Sequence, residues 1–256
     1  MRLTSKSMAA AALAALLLCG AAQARDWNAI KESGTMNVAT EGAFFPFNYF
    51  EGKKLTGFEV ELAEAVVKKL GLKLEWHAVS FEAQVPAVKQ GRFDFAIASH
   101  GYTEARAKAV AFADPHYCTG GRIAALKGGP LTVADLKGKV VGVQLATSYY
   151  DNAKKIPGVK EIKTYKADPE AFSALRAKKV DAWISDKFLI QFTLLKNPDS
   201  GVVAGDQVFV ERVSMILAKE NKELLAQLNR GLAEVVKDGS YAQLSEKYFK
   251  TDASCR

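Results

Sequence analysis

Between residues 58 and 70 the apolar side chains Phe58, Leu62, Ala65, Val66 and Leu70 recur every three to four positions, separated largely by Glu and Lys. That spacing lays one apolar stripe along a helix, and Gly71 marks its stop. On either side the period changes. "MNVAT" (36–40) and "KLEWHAV" (73–79) read as strands, "FDFAIA" (93–98) as a buried strand, and "EGAFFPFNYFEGKKLTG" (41–57) as a loop rich in turn residues. Residues 81–89 read as a short helix, and Thr103 caps the helix that carries Arg106. A second set follows residue 118. "RIAALK" (122–127), "KVVGVQL" (139–145), "EIKTY" (161–165) and "VDAWIS" (180–185) are strands; Thr132 with Asp135 resembles a capping box. Asp168-Pro169 opens a helix as cap and first helical residue, and the helix after Asp186 stops near Asn197-Pro198. After "QVFVERVSMILAK" (207–219), two helices close the chain, "NKELLAQLNRGLAEVVKDG" and "SYAQLSEKYF". Strands alternating with helices predict an α/β fold with parallel sheets. Two such sets predict two lobes, with a cleft at the carboxyl ends of the strands.

Residues 1–24 stand apart from this pattern. Arg2 and Lys6 give a basic start, "MAAAALAALLLCG" is an apolar run too short for a membrane span, and Ala22-Gln23-Ala24 fits a secretory cleavage site. Cys19 would allow lipidation, but Leu18 stands where a small residue is expected before it. Export predicts a mature chain from Arg25. Removing 24 residues from 256 leaves 232, and losing Arg2 and Lys6 takes the formal charge from +7 to +5. Lysines and arginines alternate with acids, as in "EVELAEAVVKKLG", without blocks of one sign, which excludes a nucleic-acid surface. Only His77, His100 and His116 exist and no Cys/His cluster has metal spacing, so neither a metal nor a cofactor is expected. An exported chain can form a disulfide. Cys118 and Cys255 could bridge or remain two thiols, since spacing alone does not bring them together.

Four segments each follow a strand's carboxyl end: Glu41, residues 99–106, Thr147-Ser148, and Asp186. The second is the most suggestive, because it puts a guanidinium at a helix start. Arg106 could pair with Glu104 or wait for a carboxylate, gripping it in bidentate fashion beside the backbone N–H groups around Gly101 and Thr103. Hydroxyls of Thr147 or Ser148 would complete that grip, and Asp186 would take an ammonium. Such charge-assisted bonds are worth roughly 1.5–3 kcal/mol each. A zwitterion held between two lobes is the chemistry this arrangement suits.

The same residues carry a resemblance. "ATEGAFFPFNY", "LTGFEVELAEAV", "VPAVKQGRFDFAIA", "TEARAKAVAFADPHY", "DLKGKVVGVQLATS", "VDAWISD" and "VVKDGSYAQLSEKYF" occur in order from about Met36 to Phe249. Together they resemble the periplasmic amino-acid-binding proteins of bacterial ABC importers, the polar amino acid group of the family 3 solute-binding proteins. The resemblance implies a two-lobed type II periplasmic binding protein fold, with 25–118 plus 212–256 as lobe 1 and 119–211 as lobe 2. Crossing segments near 118–124 and 208–216 would form the hinge. It implies that Arg106 and Asp186 clamp the α-carboxylate and α-amino groups, that Phe44 and Phe81 sandwich the ligand's side chain, and that Glu41 helps select it. Ser99, Gly101, Thr103, Thr147 and Ser148 complete the implied binding set. Glu41 favours a polar or cationic side chain, because two carboxylates in one cleft repel. The implied partner is an inner-membrane ABC permease, met by a periplasmic monomer. The chain departs from the pattern at His100-Gly101, where the family usually shows Met-Thr or Leu-Ser. Gly101 thus lacks a hydroxyl that commonly reaches the ligand, and His100 adds a titratable ring.

Bland roles compete at each position. Phe44 and Phe81 could be core, Asp186 could merely cap the following helix, Glu41 could serve its own loop, and His100 and Trp183 read most simply as packing residues. The rival function is an enzyme resembling periplasmic dehydratases of cyclohexadienyl amino acids or keto acids, with Glu41 or His100 as general acid. A sensor input domain is disfavoured, because no span or signalling module follows before Arg256.

Overall fold

The computed structural model describes residues 24–255, so the expected leader and Cys19 fall outside the described residues, save Ala24. Two five-stranded sheets organise the chain. In the first, β1 (Thr35–Thr40) runs parallel to β5 (Lys73–Ala78) and β6 (Phe95–Ala96), in register from Thr35 opposite Lys73 to Thr40 opposite Ala78. β15 (Ile216–Leu217) then lies antiparallel to both β6 and β7 (Ala111–Phe112). In the second, β10 (Val140–Gln144) runs parallel to β11 (Glu161–Tyr165) and β12 (Ala182–Asp186), with β9 (Gly121–Leu126) and β13 (Val202–Gln207) added antiparallel. Both sheets are therefore mixed, with parallel pairing where helices cross over and antiparallel strands beside it.

The chain passes between the sheets twice. β8 (Tyr117–Thr119) leads out of the first and β14 (Glu211–Val213) returns from the second, and the two pair antiparallel. Cys118, in the outgoing strand, is bonded to Cys255, and its amide donates to the Ala253 carbonyl at 2.9 Å. The bridge that the sequence left open therefore exists, and it staples the C-terminal segment to a crossing strand. Among the described residues no helix is long and apolar enough to cross a membrane.

The helix built on the apolar stripe, Phe58–Lys69, buries Phe58, Val60, Leu62, Ala63, Val66 and Val67. Its start depends on Gly57. That residue has φ 128°, and a Cβ there would collide with the Phe47 carbonyl, to which Glu59 donates its amide at 2.9 Å. Trp183 is fully buried, as expected of a core residue.

Three expectations change. The loop over 41–57 is an antiparallel meander of β2 (Ala43–Phe44), β3 (Asn48–Glu51) and β4 (Lys54–Thr56), whose short strands are too interrupted by turn residues to show a period. "FDFAIA" pairs as a strand only at Phe95 and Ala96. The helix Asp168–Arg176 is preceded by Ala167 as its cap, because the Asp168 carboxylate turns inward onto the Trp183 indole and the Ser185 hydroxyl. The Thr132–Asp135 reciprocal bonds do form, at 3.2 and 3.0 Å, but they open a single 3-10 turn, Ala134–Leu136.

Candidate functional site

All four flagged segments lie where β1, β6, β10 and β12 end, so the parallel strands deliver them to one region between the sheets. Ser99 leaves β6 with φ 60° and is held there by Glu59, a fully buried carboxylate. Glu59 accepts from the Ser99 amide at 2.8 Å, the Ser99 hydroxyl at 3.1 Å and the Asn48 amide group at 2.8 Å, and His116 Nε2 lies 2.9 Å from it. Four contacts on one buried acid fix the start of the loop.

Thr103 caps the helix Glu104–Ala109, its hydroxyl accepting from the Arg106 amide at 3.1 Å. Arg106 then folds back over the loop. Its Nη1 donates to the Gly101 carbonyl and its Nη2 to the Ala146 carbonyl, both at 2.7 Å, and the guanidinium carbon lies 5.3 Å from the centre of the Phe81 ring. Arg106 therefore joins the two sheet units, and its guanidinium contacts carbonyls rather than Glu104. Burial pulls its pKa below the ordinary arginine value.

The facing wall belongs to the second sheet. Thr147 caps the helix Ser148–Ala153, accepting from the Tyr150 amide at 3.2 Å while donating to the Gln144 carbonyl at 2.7 Å. Gln144 itself donates to Glu41 at 2.6 Å across the gap. Glu41, Phe44, Phe81, Ser99, Thr147 and Ser148 line one narrow cavity of about 10 Å³, together with Ala98, Gln144 and Tyr149. Phe44 stacks on Phe47 at 5.4 Å and Phe81 on His100 at 4.7 Å, so each is braced from behind by another ring.

The other four expected residues stand differently. Gly101 and Arg106 do not line the cavity, although the Arg106 guanidinium lies over the ring of Phe81, which does; Thr103 lies on an outer groove, where it caps its helix. Asp186 does not line the cavity. It is fully buried and caps the helix Lys187–Lys196, accepting from the Phe188 and Leu189 amides at 2.7 and 3.1 Å and from the Thr119 hydroxyl at 2.6 Å. His100 is fully buried, with Nε2 2.9 Å from Gln84 Oε1, and burial keeps its pKa well below the usual histidine value.

Residues that the sequence reading passed over complete the region. A polar Gln144 ending an otherwise apolar strand was a signal for the cleft, and so was an acid, Glu59, on the apolar side of its helix. Asp168 reads from the sequence as a cap, and Glu211 carries no signal beyond its charge. Burial is the leading cause that raises the carboxyls here: Glu41 to about 8, Asp168 to about 7, Glu211 to about 7 and Asp186 to about 6. Asp168 raises Glu41 further, whereas the Gln144 bond lowers it. Of these four acids, Glu211 is the one that acts on the Arg106 guanidinium. Among the described residues no cluster of His, Cys, Asp and Glu could hold a metal ion.

Residues 36–251 match the bacterial extracellular solute-binding proteins, family 3. The L-cystine-binding protein TcyJ of Escherichia coli (strain K12) is 34% identical, over 89% of this chain and 87% of its own length. Among solved structures, an ancestral arginine-binding protein bound to arginine has a TM-score of 0.81 at 37% identity, covering 84% of this chain and 98% of its own. The ancestral amino acid-binding protein AncCDT-1, a precursor of cyclohexadienyl dehydratase, has a TM-score of 0.81 at 31% identity, covering 87% of this chain and 98% of its own. The fold is the expected two-lobed type II α/β architecture, and the chain belongs to family 3 of the bacterial extracellular solute-binding proteins.

Proposed function

We propose that this chain is the periplasmic receptor of an amino-acid ABC importer, closing its lobes around an L-amino acid with a cationic side chain and delivering it to a membrane permease. The observation that carries the reading is electrostatic. Lobe closure buries Glu41 of one lobe against Gln144 of the other, at 2.6 Å, and Asp168 is among the charges that raise it further. A carboxyl buried in this way disfavours closure unless it is protonated or a cation lies beside it. An enclosed guanidinium or ammonium supplies that cation, so closure and ligand capture become one event.

Each residue then has a role. Two of the five N–H donors of Arg106 hold the Gly101 and Ala146 carbonyls, and two of the others take the α-carboxylate, with the Thr147 and Ser148 hydroxyls beside it. Asp186 accepts from the α-ammonium group. Phe44 and Phe81 flank the side chain, and Glu41 meets its charge, positioned by Gln144. The hinge is the pair β8 and β14, between a lobe of 25–118 with 212–256 and a lobe of 119–211, and the receptor acts as a monomer without metal or cofactor.

The dehydratase reading has one observation in its favour: Glu41, raised to about 8, holds a proton at neutral pH as a general acid must. His100 does not support it, being buried behind Phe81. Protein purified from cells is denatured and the released amino acids are identified by mass spectrometry. A stoichiometric cationic amino acid supports the receptor. Release of glutamate or aspartate alone, or turnover of prephenate or arogenate by the purified protein, overturns it.

A further inference from the structure

Glu211 opens the crossing strand β14, and none of the roles above uses it. Both oxygens of its carboxylate are shut off from solvent without a well-formed hydrogen bond. The Ser148 and Tyr149 hydroxyls stand within hydrogen-bonding reach without closing a well-aligned bond, and with Arg106 they favour its charge. A buried carboxylate can accept about four hydrogen bonds, so about two acceptor positions remain open even when both hydroxyls are counted. Glycine at 101 makes the room. A Cβ there would collide with Glu211 Oε2, and it would lie 3.4 Å from Ser148 Oγ, a cavity-lining atom. The carboxylate thus occupies the space that any side chain at 101 would fill, beside the clamp and the cavity wall.

We infer that Glu211 accepts a hydrogen bond from the α-ammonium group of the bound amino acid, sharing that group with Asp186. The inference rests on the receptor reading above. One carbon separates the carboxylate and ammonium of an α-amino acid, so the ammonium acceptor must stand close to the carboxylate's donor. Glu211 meets this requirement, because its carboxylate lies against Gly101, whose carbonyl Arg106 holds at 2.7 Å. Asp186 alone is a thin partner, because two amides and the Thr119 hydroxyl already occupy its oxygens. An ammonium brings three donors. Glu211 supplies the acceptors that Asp186 lacks, from the strand that moves as the hinge closes.

The test compares L-arginine with 5-guanidinopentanoate, which is arginine without its α-amino group, and L-lysine with 6-aminohexanoate, by calorimetry on ligand-stripped protein. In Glu211→Gln, which keeps the side chain's shape, L-arginine affinity falls by roughly 10- to 100-fold, the scale of a buried charge-assisted bond. Affinity for 5-guanidinopentanoate changes by less than about threefold, so the preference for the α-amino group shrinks. Equal losses for both compounds, or no loss for either, overturn the inference and leave the receptor reading standing. Wild-type protein that binds neither L-arginine nor L-lysine overturns both. Should the glutamine variant unfold, Gly101→Ala displaces the carboxylate with its charge intact and must produce the same selective loss; an unchanged preference in that variant overturns the inference.

Discussion

Asp168→Asn isolates the cost of a buried carboxyl from the bonds that orient it. The side chain is 1% exposed and accepts from Trp183 Nε1 at 2.6 Å and from the Ser185 hydroxyl. Asparagine keeps an oxygen for the indole and offers an N–H to the hydroxyl, so the contacts survive while ionisation is removed. Burial raises Asp168 from 3.8 to about 7. A raised acid binds its proton more tightly in the folded state. Its contribution is therefore complete below the unfolded value near pH 4 and drains away as pH rises through about 7. About three pKa units at 1.36 kcal/mol each come to about 4 kcal/mol by pH 8. Urea unfolding of ligand-stripped wild type and variant, from pH 4.5 to 8, measures the difference. Glu41, Asp186 and Glu211 titrate in both proteins; Glu41 and Asp186 couple to Asp168, and losing its charge relieves them with rising pH, which adds to the same trend. The variant is expected to gain on wild type steadily with pH, by several kcal/mol between the ends of the range. Parallel stability curves would falsify the reasoning and mean that the carboxylate is ionised and satisfied where it lies.

Other perturbations probe other links. Glu41→Gln should weaken L-arginine binding by roughly 10- to 100-fold, the scale of a buried charged hydrogen bond, while L-glutamine affinity stays within about threefold; calorimetry with both ligands checks this, and equal losses would remove Glu41 from side-chain selection. The Cys118–Cys255 bridge spans 137 positions of sequence. Replacing both cysteines by serine should destabilise the chain by about 3–5 kcal/mol, read as a lower melting temperature, and an unchanged melt would contradict a constraining role. Thr103→Ala removes the cap that begins the Arg106 helix and should cost about 1 kcal/mol in chemical unfolding.

Elements with a clean period were legible from the residues alone. The helix over 58–69, the strand "EIKTY" and the cap at Thr103 follow from local spacing and local hydrogen bonding, and neither depends on distant parts of the chain. The meander over 41–57 was not legible, because strands of two to four residues carry no period above the noise of their turns. Strand ends told where the cleft would be, since the parallel topology sends every carboxyl end to one edge. Partners across the cleft were beyond reach. Nothing local joins Gln144 to Glu41, 103 positions away, or turns Asp168 from a cap into a buried acid beneath Trp183. Glu211 was least visible, because its place is set by the space beside Gly101, which no pattern of residue types encodes.

The most direct measurement is the affinity of ligand-stripped wild-type and Arg106→Ala protein for L-arginine and L-glutamate, by isothermal titration calorimetry. A zwitterion clamp with an acidic side-chain pocket predicts L-arginine bound at least about 100-fold more tightly than L-glutamate, a gap of about 2.7 kcal/mol. It also predicts that Arg106→Ala loses at least about 100-fold in L-arginine affinity. L-glutamate binding as tightly as L-arginine, or full L-arginine affinity without the Arg106 side chain, would contradict it.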